Sequence, residues 1–181
     1  MTITRTVRQI LAVCFATVAS AAMAQDKIRD MTVPYVDIER FMGPWYVQGH
    51  TPLVIDDQSS NQIESYELKS DGTIATTFTF ERFGRKITLN PKGWVADKET
   101  NAHWKMQFVW PLSSDYLIVR LEPDYGTTVI SVPSKNLIWI MTRSADMTDE
   151  AYQAIVDDLA ADGYPVQKIR RVPQHTAVSA N

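Results

Sequence analysis

Eight short runs rich in β-branched and aromatic residues, separated by turn clusters and followed by one helical stretch, leave this chain few folds to adopt. The runs span residues 45–50, 61–68, 73–81, 86–96, 102–109, 115–121, 127–132 and 137–143. Their lengths and spacing are those of strands in an antiparallel meander. Turn formers stand between them. Ser70-Asp71-Gly72 is a hairpin turn in which Gly72 takes positive φ, and Phe83-Gly84-Arg85 and residues 97–101, 111–114, 123–126 and 133–136 follow. From residue 147 to 162 the period changes. Thr148 suits an N-cap, Asp149 and Glu150 suit the positive helix start, and Tyr152, Ile155, Val156 and Leu159 form an apolar stripe. Gly163 stops the helix, and residues 166–172 are expected to add a short final strand. The order predicts an all-β fold, closed as an eight-stranded up-and-down barrel or folded as a sandwich, with one C-terminal helix outside.

Residues 1–24 are set aside first, because they read as a secretory leader. Arg5 and Arg8 make a basic start, residues 10–22 an apolar stretch shorter than a membrane span, and Ala22-Met23-Ala24 a small–x–small cleavage site. Cleavage after Ala24 places the protein in a bacterial periplasm. An extension at 25–34, a domain at 35–173 and a tail at 174–181 are expected to follow. Cys14, in Leu11-Ala12-Val13-Cys14, offers a second reading, a lipidated outer-membrane lipoprotein. Val13 is bulky for that motif and few apolar residues precede it, so soluble export is favoured.

Removing the leader takes the formal charge from −3 to −5 and removes the single cysteine, so the mature chain has no disulfide and no cysteine zinc site. The negative charge gives no nucleic-acid footprint. His50, His103 and His175 are far apart and match no metal-ligand spacing, and no nucleophile elbow or glycine-rich phosphate loop is present. No catalytic residue, metal or cofactor is assigned, and the chain is expected not to be an enzyme. The competing class is an enzyme or isomerase acting on a hydrophobic substrate inside the barrel. It would need an inward acid–base pair; Glu64 is inward, with no partner evident. A filled barrel serving as an interaction scaffold is the third reading.

Alternation tells which residues face inward. Ile74, Thr76, Phe78 and Phe80 share one face of their strand, and Trp104, Met106 and Phe108 share one face of another. Eight strands enclose either a packed interior or one small ligand.

Phe41-Met42-Gly43-Pro44-Trp45-Tyr46 resembles the glycine–x–tryptophan opening of the lipocalins. Asp124-Tyr125 resembles the turn between their sixth and seventh strands, and Arg143 stands where their last barrel strand ends. The stretches Asp115-Tyr116-Leu117-Ile118-Val119 and Trp139-Ile140-Met141-Thr142-Arg143 are similar to bacterial lipocalins and apolipoprotein D. The resemblance implies the closed barrel. It implies structural roles for Gly43, Trp45, Asp124, Tyr125 and Arg143, with Arg143 across the Trp45 ring at the sealed end. The ligand would then enter at the other end, and strand phase nominates Val47, Tyr66, Phe78, Phe80, Trp104, Met106, Phe108, Tyr116, Trp139 and Met141 as cavity wall. Arg82, Arg85 and Lys86 at that mouth are expected to meet the carboxylate or phosphate head of a fatty acid or lysophospholipid. The resemblance also implies lipid transport or scavenging in the cell envelope, peripheral association with the outer membrane, and a homodimer.

Overall fold

The computed structural model describes residue 23 and residues 25–175. Cys14, all of the leader but Met23, and residues 176–181 of the tail lie outside the described residues. Nine strands follow one another around the barrel: β1 (Gly43–His50), β2 (Ser60–Leu68), β3 (Thr73–Arg82), β4 (Arg85–Leu89), β5 (Lys92–Val95), β6 (His103–Val109), β7 (Leu112–Leu121), β8 (Thr127–Ser131) and β9 (Ile138–Thr142). All pairings are antiparallel, and β9 returns to pair with β1. The result is a closed eight-stranded antiparallel barrel in which β4 and β5 share one strand's place. A one-turn helix α1 (Ile38–Phe41) precedes β1, helix α2 (Asp149–Ala161) packs outside, and β10 (Arg170–Arg171) pairs with the end of β1.

Three expectations are corrected. The run 86–96 is not continuous: it breaks at Asn90-Pro91, because proline has no N–H to give a ladder. β4 pairs with β3 alone, whereas β5 pairs with both β3 and β6, so the wall has a seam between β4 and the end of β6. The turn expected at 111–114 is shorter: Val109 pairs with Leu112 around Trp110-Pro111, and residues 112–114 extend the next strand. The run 166–172 forms a 3-10 turn at Val166–Lys168 before the two-residue β10.

A bulge in β1 sets which side chains face which way. The register with β9 shifts between Val47 and Gly49, leaving Gln48 as the extra residue. Trp45 and Val47 point into the barrel, with no exposed surface. Gln48 Nε2 donates to Thr142 Oγ1 at 2.8 Å and to the Ala145 carbonyl at 3.0 Å. Gly49 then faces α2, and His50 returns to the interior beside Gln62. A methyl group on Gly49 would sit 2.6 Å from Tyr152 Oη and 2.8 Å from Tyr152 Cε2. Gly49→Ala is therefore expected to lift α2 off the barrel at this point and cost about 1–3 kcal/mol, read by urea denaturation. An unchanged midpoint would show that α2 yields without cost. The helix stripe Tyr152, Ile155, Val156 and Leu159 packs on Val129, Ile138 and Ile140, as the spacing predicts.

One end of the barrel is solid. Phe41 from α1 lies 5.0 Å from the Trp45 ring, 5.8 Å from Tyr66 and 5.3 Å from Trp104, and Trp104 stacks on Tyr116 at 5.4 Å. These rings pack against one another across the lower barrel.

Candidate functional site: the barrel cavity and its rim

The sealed end forms around Trp45. Its Nε1 donates to the Phe41 carbonyl at 2.9 Å, and the Arg143 guanidinium lies 3.8 Å from its ring centroid. Arg143 also donates to the carbonyls of Pro44 and Arg40, each at 2.8 Å. Gly43, at φ +92°, leaves room for that guanidinium: a side chain there would start 3.4 Å from Arg143 Nη1. Tyr125 Oη accepts from the Asp37 backbone N–H, and Asp124 Oδ1 accepts from the Gly126 N–H, each at 2.8 Å. The expected motif residues therefore meet at one end.

Above the aromatic floor lies a cavity of about 140 Å³. Of the residues nominated as its wall, Phe78, Met106, Phe108, Tyr116 and Trp139 line it. Val47, Tyr66, Trp104 and Met141 sit lower, in the solid part of the interior. Phe80 is fully buried, 5.1 Å from Phe78, and borders a separate surface groove that Lys86 also touches. Strand phase places these five inward correctly but does not set their depth, which depends on how far α1 pushes Phe41 into the barrel. Strand phase also cannot nominate Leu53, Pro91, Val132 and Leu137, which reach the cavity from loops and from the β4–β5 break. Thr76 and Glu64 line it too, and the parity that picks Phe78 and Tyr66 also picks them.

The mouth cations divide. Arg82 Nη1 donates to the carbonyls of Val54 and Ile55, both at 3.1 Å, tying the β1–β2 loop to the β3–β4 hairpin. Arg85 and Lys86 are exposed and form no ion pair among the described residues. Around them the rim is strongly apolar: Val54 is 92% exposed, Phe83 78%, Trp110 82% and Leu112 72%. Exposed apolar side chains grouped this way mark an interaction surface. The β1–β2 loop is held from inside by buried polar groups. Asp56 Oδ1 accepts from the Leu53 N–H at 2.7 Å, and Gln62 Nε2 donates to Ser59 Oγ at 2.7 Å.

The cavity has a polar lower end. Tyr66 Oη donates to Glu64 Oε2, and the Tyr66 and Tyr116 hydroxyls lie 2.5 Å apart. Burial pushes the Glu64 carboxyl up to about 7, against the pull of the Tyr66 hydrogen bond and with help from Asp56. Burial, reinforced by the Glu64 charge, also raises both phenols well above the usual tyrosine range. Asp115 differs: its bonds from Lys105 and His103, each 2.6 Å, outweigh its burial and hold it low. Glu64 thus has the hydrogen-bonded neighbours that its sequence context does not reveal.

The lipocalin-like domain family matches residues 36–174. This chain belongs to that family. Temperature-induced lipocalin-1 of Arabidopsis thaliana is 29% identical over 150 residues, covering 77% of this chain and 80% of the plant protein. The outer membrane lipoprotein Blc of Escherichia coli (strain K12) is 23% identical over 141 residues, covering 76% and 79%. The lipocalin barrel also superposes on insecticyanin of the tobacco hornworm Manduca sexta with a TM-score of 0.64 at 16% identity, covering 81% of this chain and 85% of the other. Lipocalins are a family of proteins that bind small hydrophobic ligands, and this lipocalin has a cavity inside its barrel.

Proposed function

We propose that this lipocalin binds a small, largely apolar molecule in the 140 Å³ cavity and carries or scavenges it in the bacterial periplasm. The observation that carries the reading is the join of an apolar cavity to an apolar rim at the one unsealed end. A fatty acid or lysophospholipid is the ligand class, its tail in the cavity and its acidic head beside Arg85 and Lys86. Each CH₂ removed from water contributes about 0.8 kcal/mol. An engineered cavity of about 150 Å³ holds a benzene molecule, so this one encloses part of an acyl chain rather than all of it. The apolar rim supports peripheral docking on the outer membrane, and the envelope setting accords with the leader and with the similarity to the outer membrane lipoprotein Blc. The other carboxylate lining the cavity, Asp115, is held by His103 and Lys105, and Glu64 by Tyr66, so both are engaged in hydrogen bonds within the protein.

Met106→Trp should fill the cavity. It is expected to lower affinity for laurate and for a lysophospholipid at least about tenfold, measured by calorimetry, while the far-ultraviolet spectrum stays native. Arg85→Glu with Lys86→Glu should lower both affinities about two- to fivefold. Unchanged affinity in the Met106 variant would remove the cavity from the binding site, and unchanged affinity in the rim variant would remove the head-group contact.

A further inference from the structure

The hydrogen-bond polarity of the cavity's lower end restricts what can be buried there. A phenol has one proton. With Glu64 ionised, the Tyr66 proton goes to its carboxylate, so the Tyr116 proton must go to Tyr66. That leaves the free lone pairs of Tyr116 Oη and the second oxygen of Glu64 without a donor among the described residues. Thr76, only 3% exposed, lines the same cavity, and its Oγ1 has no hydrogen-bond partner. Buried polar atoms are seldom left unpaired, and each one that is costs free energy. A methyl terminus resting on this floor would leave Thr76 Oγ1 unpaired and the open acceptor positions of Glu64 and Tyr116 unused. A carboxylate would bring a second negative charge to a site that holds one.

We infer that Glu64, Tyr116 and Thr76 form a subsite for a hydrogen-bond-donating group, an amine or an alcohol, on the buried end of an otherwise apolar ligand. This rests on the cavity being the binding site, as proposed above, and departs from the fatty-acid reading in orientation and head group: the polar end is buried and the hydrocarbon points to the rim. The ligand enters polar end first, and its hydrocarbon lies along Phe78, Met106 and Trp139. The charged surroundings favour an ammonium group. Asp56, from the β1–β2 loop, adds negative potential at Glu64, and Tyr66 and Tyr116 are neutral phenols. His50 is hydrogen-bonded to Gln62 and lies 3.5 Å from Asp56, and Asp115 on β7, which also lines the cavity, is already paired with His103 and Lys105. No lysine or arginine among the described residues forms an ion pair with Glu64.

Octylamine, 1-octanol and octanoate, titrated calorimetrically into the full-length protein at about pH 8, separate the possibilities. The amine is expected to bind about tenfold or more tighter than the carboxylate, with the alcohol between them. Glu64→Gln should weaken the amine about tenfold and bring the three affinities within about threefold. Tyr116→Phe, which keeps the charge and the packing, should weaken the alcohol more than the carboxylate. Equal affinities for all three ligands in the unmodified protein would overturn the subsite and leave the apolar cavity standing. An amine preference that persists in Glu64→Gln would also overturn it, by tracing the preference to the protein's overall negative charge. Failure of all three to bind would overturn the subsite together with the cavity function.

Discussion

Trp45→Ala is expected to destabilise the protein by about 3–5 kcal/mol, read as a shift in the urea midpoint at constant slope. The ring has no exposed surface and is the largest side chain in the sealed end. It touches Phe41 at 5.0 Å and is covered by Arg143 at 3.8 Å. Removing it opens a cavity between rings that cannot collapse, because α1 and β1 hold them from both sides. Arg143 also loses the face it lies on. Trp45→Phe is the informative contrast. It keeps most of the packing, and the Phe41 carbonyl still accepts from Arg143 at 3.1 Å, so the loss should be about 1–2 kcal/mol. A loss below about 1 kcal/mol for the alanine variant would mean that the sealed end contributes little to the fold.

Glu64→Gln should flatten the dependence of stability on pH. In the folded protein the carboxyl titrates at about 7, above its ordinary 4.5. A raised value means that the folded state holds the proton more tightly than the unfolded chain. The resulting stabilisation is complete below about pH 4.5 and is lost as pH rises through 7. At about 1.4 kcal/mol per tenfold difference in proton affinity, the loss is bounded at about 3 kcal/mol. The glutamine variant should therefore match the parent at pH 4.5 and exceed it above pH 7, each read from urea unfolding. Parallel curves across that interval would show that Glu64 is well solvated.

Much of the barrel was legible because its signals are local. Period-two alternation exposes a wall, and the i, i+3, i+4, i+7 stripe of α2 exposes the face that meets Ile138 and Ile140. Trp45, Asp124 and Arg143 fall at one end by strand direction alone, and the structure brings them there. Depth within the barrel was not legible. Tyr66 and Phe78 lie on one inward-facing surface of neighbouring strands, yet Tyr66 belongs to the floor and Phe78 to the cavity, because Phe41 arrives from α1 outside the strand pattern. His50 points inward only because Gln48 is an extra residue in β1. The role of Arg82 was missed for the same reason: its partners are backbone carbonyls of a distant loop, which no spacing of side chains announces.

The gap beside Pro91 has a bearing on how anything gets inside. Barrel walls resist dilation because spreading two strands severs their ladder, one hydrogen bond after another. Between β4 and the tip of β6 there is no ladder to sever. Phe108, which lines the interior, stands at this join, with Trp110 just beyond it on the turn. At this lip the interior is therefore bounded by side-chain packing and not by backbone pairing, while the rest of its circumference stays stitched.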